Sequence, residues 1–123
     1  MSNNVFPFES ALVTGASSGI GRALCVALCD AGVKRLVLVA RSQQRLQELA
    51  SSLSCETTVL RADLTAEDDI KKVLEAIEHI DLLVNNAGFG SFGPFHDQNV
   101  VREANMVHLN CTIPIRLSHR ALG

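Results

Sequence analysis

Hydrophobic and polar positions along the chain change their period several times, and each change predicts a new element. Short apolar runs without alternation, such as residues 36–40, are typical of strands that are covered on both faces. Between these runs, apolar residues recur every three or four positions, as they do in amphipathic helices. We predict strands at residues 11–14, 36–40, 57–62 and 81–85, and helices at about 20–31, 43–52, 66–79 and 97–122.

The first three predicted helices each have an apolar face that we expect to turn inward. These faces consist of Ile20, Ala23, Leu24, Ala27 and Leu28, then of Leu46, Leu49, Ala50 and Leu53, and then of Ile70, Val73, Leu74 and Ile77. We expect Thr65 to cap the third helix, because a side-chain oxygen followed by acidic residues suits a helix N-terminus. The last helix is expected to bend near Pro114, which has no backbone N–H to donate.

Strands that alternate with helices indicate an α/β fold, here a Rossmann-like doubly wound parallel sheet with right-handed crossovers. The expected strand order is 3-2-1-4, within a single domain over residues 1–123, since no linker or repeat divides the chain. The pattern stops after the fourth strand and the following helix. We therefore expect a truncated, incomplete domain whose fourth strand is an exposed apolar edge.

Composition and charge argue against several classes of binding partner. Apolar residues make up 47% of the chain and charged residues 20%, and the net charge of −2 argues against nucleic acid or a basic membrane-binding surface. No apolar run approaches the roughly 18 residues that a membrane span needs. Cys25, Cys29, Cys55 and Cys111 form no C-x-x-C pair, and the histidines lack metal-binding spacing, so we expect no metal site. With no signal peptide visible, we predict a reduced, cytoplasmic protein.

Residues 14–21 (TGASSGIG) form a glycine-rich loop between the first strand and the first helix. Gly15 permits a tight turn, Gly19 allows a pyrophosphate to approach the backbone, and Gly21 lets the helix pack against the sheet. The helix N-terminus offers unpaired N–H groups to phosphates. The alternative is a turn without a ligand, but the strand–loop–helix context favours nucleotide binding. The expected contacts are Gly15, Ser17, Ser18, Gly19, Ile20 and Gly21.

Further motifs follow at later strand ends. Asp63 and Leu64 come after the third strand, residues 85–88 (NNAG) end the fourth, and Asn110 lies 25 positions beyond Asn85. Together with the T-G-x-x-x-G-x-G loop, this ordered set resembles the short-chain dehydrogenase/reductase family. The resemblance implies an oxidoreductase that transfers hydride between a nicotinamide cofactor and a small carbonyl or alcohol substrate. It also implies that the full-length form is a homo-oligomer.

The same resemblance suggests roles for these residues. Asp63 is expected to contact adenine, with capping of the next helix as the alternative. Asn86, Ala87 and Gly88 are expected to line the ribose and nicotinamide through backbone groups, whereas Asn85 ties neighbouring strands together. Residues 89–95, which contain three phenylalanines, either border the substrate pocket or pack among themselves.

The family's chemistry also needs residues that are absent here. It uses an Asn, a Ser and a Y-x-x-x-K pair, in which the Tyr is the general acid/base. Asn110 matches the Asn of this catalytic tetrad, but the chain contains no Tyr, and its lysines are Lys34, Lys71 and Lys72. We therefore predict that the 123-residue chain alone is inactive. The alternatives are a non-catalytic dinucleotide-binding module, a pseudoenzyme or a nonfunctional fragment.

The residues at the end of the second predicted strand indicate whether NAD(H) or NADP(H) would bind. An acidic residue at this position binds the adenosine ribose 2′-OH of NAD(H). Here the position holds Ala40, followed by Arg41, whose guanidinium could pair with a 2′-phosphate. We favour NADP(H) over NAD(H), the alternative being that Arg41 is an ordinary solvated side chain.

Overall fold

The structure, a computed structural model, describes residues 6–17, 19–88, 96 and 98–123. Within these residues, four parallel strands form one sheet in the order β3-β2-β1-β4, which confirms the predicted α/β fold and strand order. The strands are β1 (Ser10–Thr14), β2 (Arg35–Ala40), β3 (Glu56–Arg61) and β4 (Leu82–Val84). The helices are α1 (Gly19–Ala31), α2 (Gln43–Ser52), α3 (Glu67–Ile77), α4 (Val100–Val107) and α5 (Ile113–Leu122).

The central strand β1 is buried along its whole length because helices cover both faces of the sheet. Ala11 and Val13 point into one apolar cluster together with residues of α1 and α2. Leu12, between them, points into a second cluster with residues of α3 and α5. This alternation explains why the strand sequence is apolar at consecutive positions.

The inward faces predicted for α2 and α3 are confirmed, but the face predicted for α1 is wrong. Ile20 is 72% exposed, whereas Gly21 and Cys25 are buried. Leu28, from the predicted face, does pack against the core, next to Cys29. Because α1 is apolar around most of its circumference, its sequence period does not identify the buried face. The small residues Gly21 and Cys25 face inward where the helix approaches its neighbours most closely.

The prediction that Thr65 caps α3 is also wrong. The N-cap position is Ala66, which makes no side-chain capping bond. The Thr65 hydroxyl instead donates to Asp63 Oδ1 at 2.6 Å, and the Thr65 backbone N–H donates to the same oxygen at 2.9 Å. The aspartate two positions earlier therefore competes successfully for the threonine, as in an Asx-turn.

The predicted bend near Pro114 is a π-helical turn, His108–Thr112, that joins α4 to α5. Ile113 and Leu117 lie on the side of α5 that faces the sheet and are buried. Four other apolar residues of this region are each more than half exposed, namely Val100, Val101, Val107 and Ile115. Two Arg–Glu pairs, Arg116 with Glu67 and Arg120 with Glu78, tie α5 to the α3 segment. No helix in the described part of the chain is long and apolar enough to cross a membrane.

Candidate functional site

A pocket of about 260 Å³ opens at the carboxyl ends of the parallel strands. Ligands bind at this end of open α/β sheets, where successive loops diverge. Of the residues singled out from the sequence, those that line the pocket are Gly15, Ser17, Arg41, Asp63, Leu64, Ala87 and Gly88. The other lining residues, which were not predicted as contacts, are Val39, Ala40, Ser42, Arg45, Ala62, Thr65 and Leu109.

The glycine-rich turn forms one wall of the pocket and depends on three glycines in different ways. Gly15 and Gly19 have φ angles of +63° and +56°, which residues with a Cβ rarely adopt. A Cβ on Gly15 would lie 2.9 Å from the backbone of Ala87, but a Cβ on Gly19 would meet nothing within 4 Å. The space next to Gly19 is therefore open.

Gly21, which we expect to let α1 pack against the sheet, lies against the glycine-rich turn and Asn86. A Cβ at this position would collide with the carbonyl of Gly15 and the side chain of Asn86. The Asn86 Nδ2 donates to the Gly15 carbonyl oxygen at 3.1 Å. The absence of a side chain at Gly21 thus lets the first turn of α1, the glycine-rich turn and the segment after β4 meet at one point.

Thr14 holds these segments together and was missed as a functional residue. It is buried at the last position of β1. Its Oγ1 accepts the backbone N–H groups of Asn86 and Ala87, both at 2.9 Å, and donates to the Val84 carbonyl at 3.4 Å. A buried hydroxyl therefore fixes the backbone that leads from β4 into the pocket. The only sequence signal was its position directly before Gly15.

The two asparagines after β4 have different partners. Asn86 contacts the glycine-rich turn and does not itself line the pocket. The Asn85 Nδ2 donates to the Ser118 hydroxyl on α5 at 2.9 Å. The prediction that Asn85 ties neighbouring strands is therefore wrong, since it joins the end of β4 to a helix.

Asp63 lies on the opposite wall of the pocket, where β3 leads into α3. The two bonds from Thr65 hold the pKa of this carboxyl below its usual range, and the positive charges of Arg41 and Arg61 act in the same direction. The Asp63 N–H donates to Asp69 Oδ2 at 2.9 Å. Because the carboxylate closes a local turn and α3 has no side-chain cap, Asp63 does not cap the helix.

Two arginines lie at the rim of the pocket, between β2 and α2. Arg41 is exposed and lines the pocket, and its backbone carbonyl accepts a bond from Arg61 Nε at 3.2 Å. Ser42 caps α2 by accepting the Arg45 N–H at 3.3 Å, which brings Arg45 to the same rim. The rim therefore carries two guanidinium groups where the sequence indicated one. Arg45 could have been found from its place in the first turn of α2.

The remaining predicted residues have varied positions. Ile20 is exposed at the start of α1 but does not line the pocket, and Ser18 and residues 89–95 lie outside the described residues. Asn110 lies in the π-helical turn, with its side-chain oxygen so close to Gly88 that a Cβ there would collide with it. In the described part of the chain, no three His, Cys, Asp or Glu residues group so as to hold a metal.

The comparisons with known proteins agree with this arrangement. The model of the short chain dehydrogenase family matches residues 9–123. The chain belongs to this family. An uncharacterized oxidoreductase of Staphylococcus epidermidis is 40% identical over 104 residues, which cover 81% of this chain and 45% of that protein.

Solved structures of this family have the same fold. The bulky-bulky ketone specific alcohol dehydrogenase from Comamonas testosteroni superimposes with a TM-score of 0.86 at 38% identity, covering 92% of this chain and 47% of that one. A short-chain dehydrogenase from Sphingobium yanoikuyae in complex with NADPH has a TM-score of 0.86 at 34% identity, covering 91% and 46%. The chain thus spans about half the length of the relatives it matches.

Proposed function

We propose that this chain forms the dinucleotide-binding part of an oxidoreductase that transfers hydride between NADP(H) and a small carbonyl or alcohol substrate. The family is an oxidoreductase family. The pocket lies at the carboxyl end of the sheet, next to a glycine-rich turn and a helix N-terminus, which is the arrangement that suits a pyrophosphate. A relative with the same fold is described in complex with NADPH.

The residues present fit a dinucleotide. The position that a Cβ of Gly19 would occupy is open space, as close approach of a phosphate to the backbone requires. α1 begins at Gly19, so its first N–H groups lie beside this space. Ala87 and Gly88 provide backbone groups on the other side of the pocket, where the ribose and nicotinamide would bind.

The observation that carries the preference for NADP(H) is the pair of arginines at the rim. Ala40 provides no carboxylate to accept a ribose 2′-OH or to repel a 2′-phosphate. Arg41 and Arg45 both line the pocket there, and guanidinium groups bind phosphate through charge-assisted bonds. Asp63 lies across the pocket as an ionised acceptor, which suits the amino group of an adenine.

A bound nicotinamide would carry the hydride, and residues of this chain would bind and orient the cofactor. The accompanying proton needs a tuned donor, for which the family uses a tyrosine beside a lysine. The chain contains no tyrosine, and Lys34, Lys71 and Lys72 do not line the pocket. We therefore propose that these 123 residues alone bind the dinucleotide without turnover. A second candidate is a non-catalytic dinucleotide-binding module, because the residues that line the pocket offer contacts for a dinucleotide but no proton donor of this kind.

The test replaces Arg41 with aspartate and compares affinities for NADP+ and NAD+ by calorimetry. We expect the dissociation constant for NADP+, divided by that for NAD+, to rise roughly 30-fold, which corresponds to about 2 kcal/mol. The reason is that a charge-assisted bond to phosphate is lost and a like charge is introduced. Arg35→Asp is the matched control, since it makes the same charge change at the opposite end of β2. An unchanged ratio in Arg41→Asp would exclude Arg41 as the 2′-phosphate ligand.

Turnover distinguishes the two candidate functions. Proteins that carry these residues are assayed with NADPH and aldehydes or ketones, and with NADP+ and alcohols. Consumption of NADPH by a protein of the relatives' full length supports the oxidoreductase. Tight binding without turnover in that protein supports the binding module.

A further inference from the structure

Two cysteines meet at the end of the sheet opposite the pocket. Cys29 lies in the last turns of α1, and Cys55 lies directly before β3. Both side chains are partly exposed, and both pack against the apolar cluster beneath α1 and α2. Neither residue has a part in the proposed dinucleotide site.

The contacts of the Cys29 sulfur define this thiol pair. It accepts the Cys55 backbone N–H at 3.1 Å, and the Ser54 hydroxyl lies 3.3 Å away. The two thiols are also close enough for each to shift the pKa of the other. Because the N–Cα bond is about 1.46 Å long, the Cys29 sulfur lies within about 4.6 Å of the Cys55 Cα. The Cys29 sulfur therefore lies beside the backbone of Cys55, and a disulfide requires such proximity.

The surroundings make the two sulfurs chemically different. Burial acts to raise the pKa of Cys29, but the hydrogen bonds from Cys55 and Ser54 outweigh it and lower that pKa. Burial, together with the neighbouring Cys29 thiol, raises the pKa of Cys55 to about 12. The C-terminal end of α1 disfavours a thiolate, so the donors act against the helix dipole. Cys29 is therefore the better nucleophile, and the Cys55 thiol keeps its proton.

We propose that Cys29 and Cys55 are a redox modification site that forms a reversible intramolecular disulfide on reaction with hydrogen peroxide. The Cys29 thiolate attacks one peroxide oxygen, the O–O bond breaks, and the departing hydroxide takes a proton to leave as water. Cys55 then attacks the sulfur of the resulting sulfenic acid. The S–O bond breaks, and the hydroxyl leaves with the Cys55 proton as a second water. Two thiols are oxidised and one peroxide is reduced to two waters.

The chain contains two further cysteines that serve as internal controls. Cys25 is one helical turn before Cys29 but is fully buried, and burial raises its pKa to about 11. Cys111 is exposed in the π-helical turn. If burial and exposure alone decided reactivity, Cys111 would oxidise first. The proposal instead requires oxidation at the thiol pair.

The experiment uses the reduced, purified protein treated with one equivalent of hydrogen peroxide. Remaining thiols are blocked with iodoacetamide, and the protein is digested with trypsin without reduction. Cleavage after Arg22, Lys34, Arg45 and Arg61 places the pair in two peptides, residues 23–34 and 46–61. We expect mass spectrometry to find these peptides joined, and to find them separate after treatment with dithiothreitol.

Variants assign the sulfur atoms. Cys25→Ser and Cys111→Ser should keep the linked peptides, whereas Cys29→Ser and Cys55→Ser should lose them. The wild-type digest is decisive even if a variant does not fold. Separate, alkylated 23–34 and 46–61 peptides after peroxide treatment would overturn the proposal. So would a link that depends on Cys25, or a disulfide that joins two copies through Cys111.

Discussion

The two ends of the parallel sheet use similar polar residues for different purposes. At the amino end, the Asp81 carboxylate accepts the backbone N–H groups of Glu9 and Ser10 at 3.0 and 2.9 Å, and the Ser10 hydroxyl accepts the Asp81 N–H at 3.1 Å. These bonds join the starts of β1 and β4. At the carboxyl end, Thr14 makes a comparable set of backbone bonds. There, however, the glycine-rich turn leaves a pocket beside it.

The difference shows what turns a sheet end into a site. Both ends have their backbone groups paired by side chains. The carboxyl end combines its paired backbone with a glycine-rich turn, the N-terminus of α1 and two arginines, Arg41 and Arg45, at the rim of the pocket. Changes at the carboxyl end should therefore alter dinucleotide binding, whereas changes at the amino end should alter stability alone.

Gly21→Ala should have the largest effect, because the new methyl group would collide with the Gly15 carbonyl. Overpacking of this kind costs about 1–3 kcal/mol or more, and here the neighbour is backbone. We expect the free energy of unfolding to fall by about 3 kcal/mol and dinucleotide affinity to fall at least tenfold. Urea unfolding and calorimetric titration measure the two quantities.

Gly19→Ala is the control for that change. Its methyl group would project into open space, although the positive φ angle adds backbone strain. We expect a smaller loss of stability than in Gly21→Ala and a comparable loss of dinucleotide affinity. Normal affinity in Gly19→Ala would remove this turn from the binding site.

Thr14→Val should have the next largest effect. Valine keeps the shape of threonine but leaves the N–H groups of Asn86 and Ala87 without their acceptor. A buried donor that loses its partner costs about 1–3 kcal/mol, so we expect about 2–3 kcal/mol of lost stability together with weaker binding. Thr14→Ser, which keeps the hydroxyl, should be close to wild type. Equal stability of the valine and serine variants would show that the hydroxyl bonds are unimportant.

Asp81→Asn should have the smallest effect and should leave dinucleotide affinity unchanged. Backbone bonds from Glu9 and Ser10 lower the pKa of Asp81, so its ionised form stabilises the fold. That contribution is complete above the ordinary aspartate pKa of about 3.9 and is lost as the pH falls through the lower folded-state value. The stabilities of variant and wild type should differ at neutral pH and converge in acid. A constant difference at every pH would contradict this role.

The parts of the fold and site that were predictable are those in which local sequence determines structure. Gly15 and Gly19 were singled out from their spacing between a strand and a helix, and both have positive φ angles, which favour glycine. The strands were found because burial on both faces makes them apolar throughout. The buried face of α1 was not predictable, because Ile20 is as apolar as the residues that are buried.

The missed contacts depend on residues that are distant in sequence. Thr14 is an ordinary strand residue until folding brings Asn86 and Ala87 beside it. Asn85 meets Ser118 only after α5 packs next to β4. The competition of Asp63 for Thr65 is local, but two capping patterns overlap there, and the sequence favoured a Thr65 cap that does not form.

The most direct test of the central claim is a calorimetric titration of the wild-type protein with NADP+, and then with NAD+, in the same buffer. We predict saturable binding of one dinucleotide per chain, with a dissociation constant at least tenfold lower for NADP+, because Arg41 and Arg45 line the pocket and could bind a 2′-phosphate there. Binding of neither dinucleotide by the folded protein, or tighter binding of NAD+, would contradict it.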